Sequence, residues 1–177
     1  MKIFESSNLS QEPLIKLNEW LQEALKLEVP LPHAMNLSTV DELGQPSSRM
    51  VLLKSISDEG IIFYTDYESH KGQMLDTNPK AALNFWWAKT DKQIRIQGTC
   101  VKTSDEESDE YFHSRPKRSQ ISATVSFQSK EIKSYGDLVK EAEDLQKRIS
   151  ESDLERPTRW GGYLLVPNRI EFWKNES

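Results

Sequence analysis

The chain has 177 residues, 36% of them hydrophobic and 29% charged, with a formal net charge of −5 and one cysteine. That length fits a single domain over 1–177 that buries a core without a structural metal, and one cysteine excludes an internal disulfide framework. An acidic balance argues against general nucleic-acid binding, and no apolar run reaches the roughly 18 residues of a spanning helix, so neither nucleic acid nor membrane is an expected partner. The opening MKIFESSNLSQEP lacks the apolar stretch of a signal peptide, which makes the cytoplasm the expected location.

The first regular segment is a helix over about 10–27, where Leu14, Leu17, Leu21, Ala24 and Leu25 recur at three- and four-residue spacing behind a Ser10 cap and a first-turn Pro13. After Pro30 and Pro32 come extended runs at 34–40 and 47–56, parted by the turn-forming Asp41 to Pro46. The turn Asp58-Glu59-Gly60 leads to a third run at 61–65, and three such runs in succession predict an antiparallel meander. A short helix over 69–77 follows, capped by Ser69 and stopped by Asn78-Pro79. Strands at 81–88 and 93–101 bring the total to at least five, close to a small barrel.

Ser104 ahead of Asp105-Glu106-Glu107 marks the start of an outer helix over about 105–114, because a capped, positively polarised helix start favours acidic side chains. That helix carries Tyr111 and Arg115 at i and i+4, on one face. A second outer helix is expected at about 135–150, with Leu138, Val139, Ala142, Leu145 and Ile149 as its apolar stripe. Ser150 to Arg159 reads as a polar surface connection, and 160–166 with 169–173 as a closing hairpin around Pro167-Asn168. The fold class is mainly β with peripheral helices.

The segment Tyr111-Phe112-His113-Ser114-Arg115-Pro116-Lys117-Arg118-Ser119-Gln120 gathers cations, a phenol and hydroxyls at one proline-terminated turn, which suits a small phosphorylated ligand. Read alone, it is more simply a solvated basic loop, since charged loop residues are usually just solvated. His33 and His113 are not spaced with carboxylates or Cys100 as metal ligands, so no metal site is assigned. Cys100 reads as a small buried hydrophobe, and Phe85-Trp86-Trp87 as core or interface packing.

Together with Ser48 to Lys54, Phe63-Tyr64-Thr65, Ser69 to Lys71, Lys92 to Ile96, Trp160-Gly161-Gly162 and Glu171-Phe172-Trp173, this segment resembles the pyridoxine (pyridoxamine) 5′-phosphate oxidases over nearly the whole chain. The resemblance implies an FMN-binding split β-barrel that works as a homodimer, with the flavin sites at the subunit interface. It implies that Arg49, Met50, Val51, Leu52, Lys54, Tyr64 and Thr65 line the FMN site. On the same resemblance, His70 and Lys71 would lie near the flavin phosphate and Gln93 at the isoalloxazine edge, while Gln128, Ser129 and Trp173 would reach the flavin from the partner subunit. Lys54, Tyr111, Arg115 and Ser119 would hold the substrate phosphate.

The implied reaction, a step of pyridoxine biosynthesis, is FMN-dependent oxidation of pyridoxine 5′-phosphate or pyridoxamine 5′-phosphate to pyridoxal 5′-phosphate with dioxygen as electron acceptor. No side chain stands out as a general base, so no catalytic residue is assigned. This sequence departs from the family pattern in ending at Lys174-Asn175-Glu176-Ser177 without the usual R-L-H-D-R segment, in lacking the short N-terminal arginine and tyrosine segment, and in carrying His70 where an arginine is more common. The alternative is an FMN-binding member with a different substrate, or a flavin carrier or interaction module without oxidase turnover.

Overall fold

The elements run along the chain as β1 (Glu5–Ser6), α1 (Glu12–Lys26), β2 (Ala34–Val40), β3 (Pro46–Leu52), β4 (Ser55–Ser57), β5 (Gly60–Asp66), α2 (His70–Thr77), β6 (Lys80–Trp87), β7 (Lys92–Lys102), α3 (Asp105–Ser114), α4 (Lys117–Val125), α5 (Tyr135–Arg148) and β8 (Trp160–Lys174). The structure, a computed structural model, describes residues 5–6, 9–149 and 154–175. The strands form one sheet in the order β1-β4-β5-β8-β7-β6-β2-β3. The described residues fall into two compact units, a first within 1–64, 74–101 and 163–177 and a second within 65–73 and 102–162.

The first unit is built on alternation. Met35 and Leu37 in β2, Leu83 and Phe85 in β6, and Ile94 and Ile96 in β7 are all buried, their neighbours less so, as the two-residue period of a strand requires. Phe85 stacks on Trp87 at 5.5 Å, while Trp86 between them points outward and is 50% exposed. α1 buries Leu14, Leu17, Leu21 and Ala24 on its single apolar stripe, each leucine contributing about 1.5–3 kcal/mol by leaving water. Its cap differs from the expectation. Gln11 occupies the cap position without a side-chain capping bond, and the carboxylate of Asp58 accepts from Ser10 N at 2.8 Å, Ser10 Oγ at 2.5 Å and Gln11 N at 3.3 Å. Those bonds, the Ser10 hydroxyl first, hold the Asp58 carboxyl below its usual range.

Two strand expectations are corrected. The run at 47–56 is not one strand of a meander. Leu53 N donates to His33 O at 2.9 Å, but Lys54 N donates to Ile62 O at 2.8 Å, so the backbone changes partner between adjacent residues. β3 pairs with β2 and β4 with β5, near opposite ends of the sheet order. The closing hairpin is instead one 15-residue strand, β8, lying between β5 and β7. Pro167 removes one ladder donor without ending the strand. The flanking strands come close there at glycines: a Cβ on Gly60 would lie 2.1 Å from Leu165 O, and one on Gly98 2.2 Å from Val166 O.

In the second unit, Ser104 caps α3 by accepting from Glu107 N at 3.1 Å, and Ser69 caps α2 by accepting from Gly72 N at 3.4 Å, both as read from sequence. α4 was missed. Pro116-Lys117-Arg118 reads as a turn, but Pro116 sits at the helix cap and its fixed φ leads into the first turn. Phe112, Ile121, Val125 and Trp160 form this unit's core, Phe112 meeting Trp160 edge-on at 5.4 Å.

Candidate functional site

The turn from β5 into α2 gathers a buried ammonium and several oxygens within the second unit. Lys71 is 9% exposed, and its Nζ donates to Gln128 Oε1 at 2.8 Å, Thr65 Oγ1 at 3.1 Å and Ser69 Oγ at 3.1 Å. Thr65 Oγ1 also donates to Gln128 Oε1 at 3.0 Å. Ser69 Oγ donates onward to Asp66 O at 2.6 Å, which fixes the rotamer that receives Lys71. A burial this deep for an ammonium needs such partners. His70, the residue before Lys71, is exposed.

Gln128 reaches Lys71 and Thr65 of its own chain. Its side-chain oxygen accepts from both Lys71 Nζ and Thr65 Oγ1. Ser129 follows at φ 65°, a left-handed conformation that turns the chain sharply.

A second cluster forms around Trp160 in the same unit. Tyr111 stacks on the indole at 6.2 Å with the rings 6° apart, and the guanidinium of Arg115 lies 4.5 Å from its centroid. Arg115 is not on the helix with Tyr111; it is the residue just past α3, with extended backbone at φ −75° and ψ 150°. Pro116 forbids the helical continuation, so the two side chains meet on the indole and not along a helix face. Arg115 Nη1 is buried with no hydrogen-bond partner among the described residues. Burial pushes the Arg115 pKa down while Tyr111 opposes it. Ser119, in the first turn of α4, is half-buried. Gln120 holds the turn shut by donating from Nε2 to Arg115 O at 2.9 Å and His113 O at 3.3 Å.

The segment before β8 is more than the surface connection expected; its residues 150–153 lie outside the described ones. Arg156 donates from Nε to Asp109 Oδ1 at 2.5 Å, from Nη2 to Asp105 Oδ1 at 2.6 Å and from Nη1 to Trp160 O at 2.6 Å. Burial works against its charge, but the Asp109 and Asp105 bonds win and raise its pKa. Arg159 pairs with the buried Asp66. The signal available in the sequence was two arginines three apart directly before an aromatic and two glycines, too many cations for an idle linker.

The first unit carries the other expected flavin residues. Along β3 the side chains alternate, Arg49 half-buried and Val51 buried while Met50 and Leu52 face outward. Arg49 donates from Nη1 to Thr39 Oγ1 at 2.8 Å, Ser47 O at 3.1 Å and Leu37 O at 3.3 Å, and from Nη2 to Ser47 Oγ at 2.8 Å. All those acceptors are neutral, and desolvation lowers its pKa. Gln93 donates from Nε2 to Asn84 Oδ1 at 2.9 Å. Trp173 is 44% exposed beside Trp86, ring centroids 6.3 Å apart. Lys54 lies between β3 and β4, where its charge adds to burial in lowering the pKa of His33. Tyr64 is half-buried at the end of the first unit's part of β5.

A family model described as pyridoxamine 5′-phosphate oxidase matches residues 21–148. The chain belongs to that family. Two curated relatives called pyridoxine/pyridoxamine 5′-phosphate oxidase share 44% identity with it: one from Nostoc sp. (strain PCC 7120) over 93% of this chain and 77% of its own length, one from Burkholderia thailandensis over 96% and 79%. Among solved structures, PhzG from Burkholderia lata 383, in complex with tetrahydrophenazine-1-carboxylic acid, matches at TM-score 0.90 and 33% identity over 95% of this chain and 82% of that one. A pyridoxamine 5′-phosphate oxidase-related, FMN binding protein from Nostoc punctiforme PCC 73102 matches at TM-score 0.73 and 17% identity over 92% and 85%, a likeness in fold alone. The fold is the split β-barrel of these flavin-binding proteins, and the pyridoxamine 5′-phosphate oxidase family is one of oxidoreductases.

Proposed function

We propose that this protein is an FMN-dependent oxidase that converts pyridoxine 5′-phosphate or pyridoxamine 5′-phosphate to pyridoxal 5′-phosphate with dioxygen as acceptor. The observation that carries the reading is Arg115, whose Nη1 is buried without a partner beside Tyr111 on the Trp160 ring. A buried donor left unpaired is costly, and a phosphate oxygen relieves it with a charge-assisted bond. Ser119 and Lys54 are its proposed companions at the substrate phosphate.

The residues present fit FMN. Lys71 beside the Thr65 hydroxyl offers a desolvated cation to a phosphate monoester, and Arg49 is a second cation, its hydrogen bonds going to neutral acceptors. Gln93 supplies an amide to the flavin ring, with His70, Gln128, Ser129 and Trp173 as further proposed contacts. FMN held by these residues would supply the redox chemistry, taking up the substrate's hydride equivalent for delivery to dioxygen. The chain's own part is to orient the substrate by its phosphate, to hold it against the flavin and to exclude water from the phosphate ends.

A homodimer is proposed on the exposed apolar surface of the first unit: Met50 is 60% exposed, Leu52 39%, Trp86 50% and Trp173 44%, more than an isolated chain favours in one unit. The proposed location is the cytoplasm; among the described residues no helix is long and apolar enough to cross a membrane.

A second reading follows from PhzG, whose ligand carries a carboxylate on a fused ring system. The unpaired Arg115 nitrogen suits a carboxylate as well as a phosphate, so an oxidisable polycyclic carboxylic acid is the competing substrate class. Both are tested by mixing the FMN-loaded protein anaerobically with each compound and following the flavin absorption. Bleaching by pyridoxine 5′-phosphate that returns with oxygen supports the first reading; bleaching only by the carboxylate supports the second; a bound but unchanged flavin with either leaves a carrier.

A further inference from the structure

We infer that Arg159 is a positioning residue for the phosphate end of the flavin site, fixing the Lys71, Thr65 and Gln128 cluster without touching it. The inference rests on the proposed FMN site and adds a residue outside the expected set. Arg159 has a side chain only 9% exposed, and its Nη1 pairs with Asp66, whose side chain is 2% exposed. Its Nη2 donates to Thr124 O at 2.7 Å and Ala123 O at 3.0 Å, and its Nη1 reaches Ser126 O at 3.3 Å. The guanidinium also lies 3.9 Å from the centroid of Phe127.

These partners belong to the two segments that meet at Lys71. Asp66 follows Thr65, and its carbonyl accepts from the Ser69 hydroxyl that in turn receives Lys71. Ala123, Thr124 and Ser126 are the end of α4, whose last carbonyls have no helical donors and whose last turn contains no basic residue. Arg159 supplies the missing donors and places a cation at the negative end of the helix. Gln128 is two residues beyond Ser126 and, though exposed, lands on Lys71 and Thr65. One planar guanidinium therefore ties both sides of the cluster together. A lysine has neither the fork nor the reach to bond a carboxylate and three carbonyls at once.

None of these bonds goes to Lys71, Thr65 or Gln128 themselves, so Arg159 sets where the cluster sits and not what charge it offers. FMN and riboflavin share the ring and ribityl chain and differ at the phosphate. A residue that positions the phosphate cluster alters the preference between them, whereas a residue that merely supports the fold weakens both together.

The test is equilibrium titration of the full chain with FMN and with riboflavin, read by flavin fluorescence, for the natural sequence, Arg159→Lys and the double variant Arg159→Met with Asp66→Asn. The double variant removes both buried charges and leaves neither uncompensated. Its FMN affinity is expected to fall on the order of tenfold to a hundredfold while riboflavin affinity changes little, with Arg159→Lys between. An unchanged FMN-to-riboflavin ratio, or parallel loss of both affinities, overturns the inference. Should the double variant fail to fold, Arg159→Lys decides alone, a ratio equal to the natural one being the overturning result. A natural chain without preference for FMN overturns the proposed flavin site, and the inference with it.

Discussion

The guanidinium of Arg115 stacks on Trp160 at 4.5 Å, and the same side chain buries an Nη1 that is unpaired among the described residues. The ring holds the plane of the fork while one donor waits for an acceptor, an arrangement lysine cannot copy because its ammonium is a point charge on a flexible stem. Arg115→Lys is expected to raise KM for pyridoxine 5′-phosphate by about tenfold to a hundredfold with a smaller change in kcat, since phosphate binding is lost more than chemistry. Steady-state oxygen uptake over a substrate series checks it; an unchanged KM removes Arg115 from the phosphate site.

Arg156 supports that platform from behind through Trp160 O, Asp105 and Asp109. Arg156→Gln is expected to cost about 1–3 kcal/mol in urea unfolding, less than a fully buried ion pair, because the Asp105 and Asp109 side chains are 87% and 49% exposed and water screens them. A loss beyond that range would mean the carboxylates are more tightly coupled than their exposure indicates.

Two glycines make opposite predictions. A Cβ at Gly161 would lie 2.1 Å from Tyr67 Oη, and that hydroxyl is held by donating to Gly162 O at 3.0 Å. Gly161→Ala is expected to destabilise by about 1–3 kcal/mol, since a rigid ring has to move. At Gly136, inside α5, a Cβ meets only Ser134 Oγ at 3.7 Å, so Gly136→Ala is expected to stabilise by about 0.4–1 kcal/mol through the unfolded chain's lost freedom. Thermal melts of the two variants distinguish them by sign.

His33 is 7% exposed with Nδ1 unpartnered among the described residues, and desolvation, then the Lys54 charge, holds its pKa below the ordinary value. The unfolded chain therefore binds a proton that the folded one refuses, so stability rises with pH in that window. As pH falls through the ordinary histidine value of about 6.5 towards the depressed folded value, stability is lost by at most about 1.4 kcal/mol per pH unit for this group. Urea midpoints on either side of that window should show a shallower acid slope in His33→Met; an identical slope would assign the effect elsewhere.

Local chemistry was legible where a few neighbouring residues decide the outcome. Ser104 with its acidic followers and Ser69 before a helical turn name their caps because a cap is made within three residues. The strands at 34–40 and 61–65 follow from alternation and β-branched content, as the observed Ala34–Val40 and Gly60–Asp66 reflect. Pro167-Asn168 misled because turn propensity is local, while β8 is kept extended by neighbours on both sides from distant parts of the chain.

By itself the sequence determined the family, the strand and helix inventory but for β1, α4, the split of the 47–56 run and the undivided β8, and the residue types offered to a phosphate, since each of these is written in short ordered blocks. Only the tertiary structure decided which partners β3 and β4 take, that Tyr111 and Arg115 meet on Trp160, that Gln128 covers Lys71 of its own chain, and that Arg156 and Arg159 are buried. The physical reason is separation along the chain. Arg159 bonds Asp66 across 93 positions, and no local propensity encodes a contact that forms only after both ends have packed.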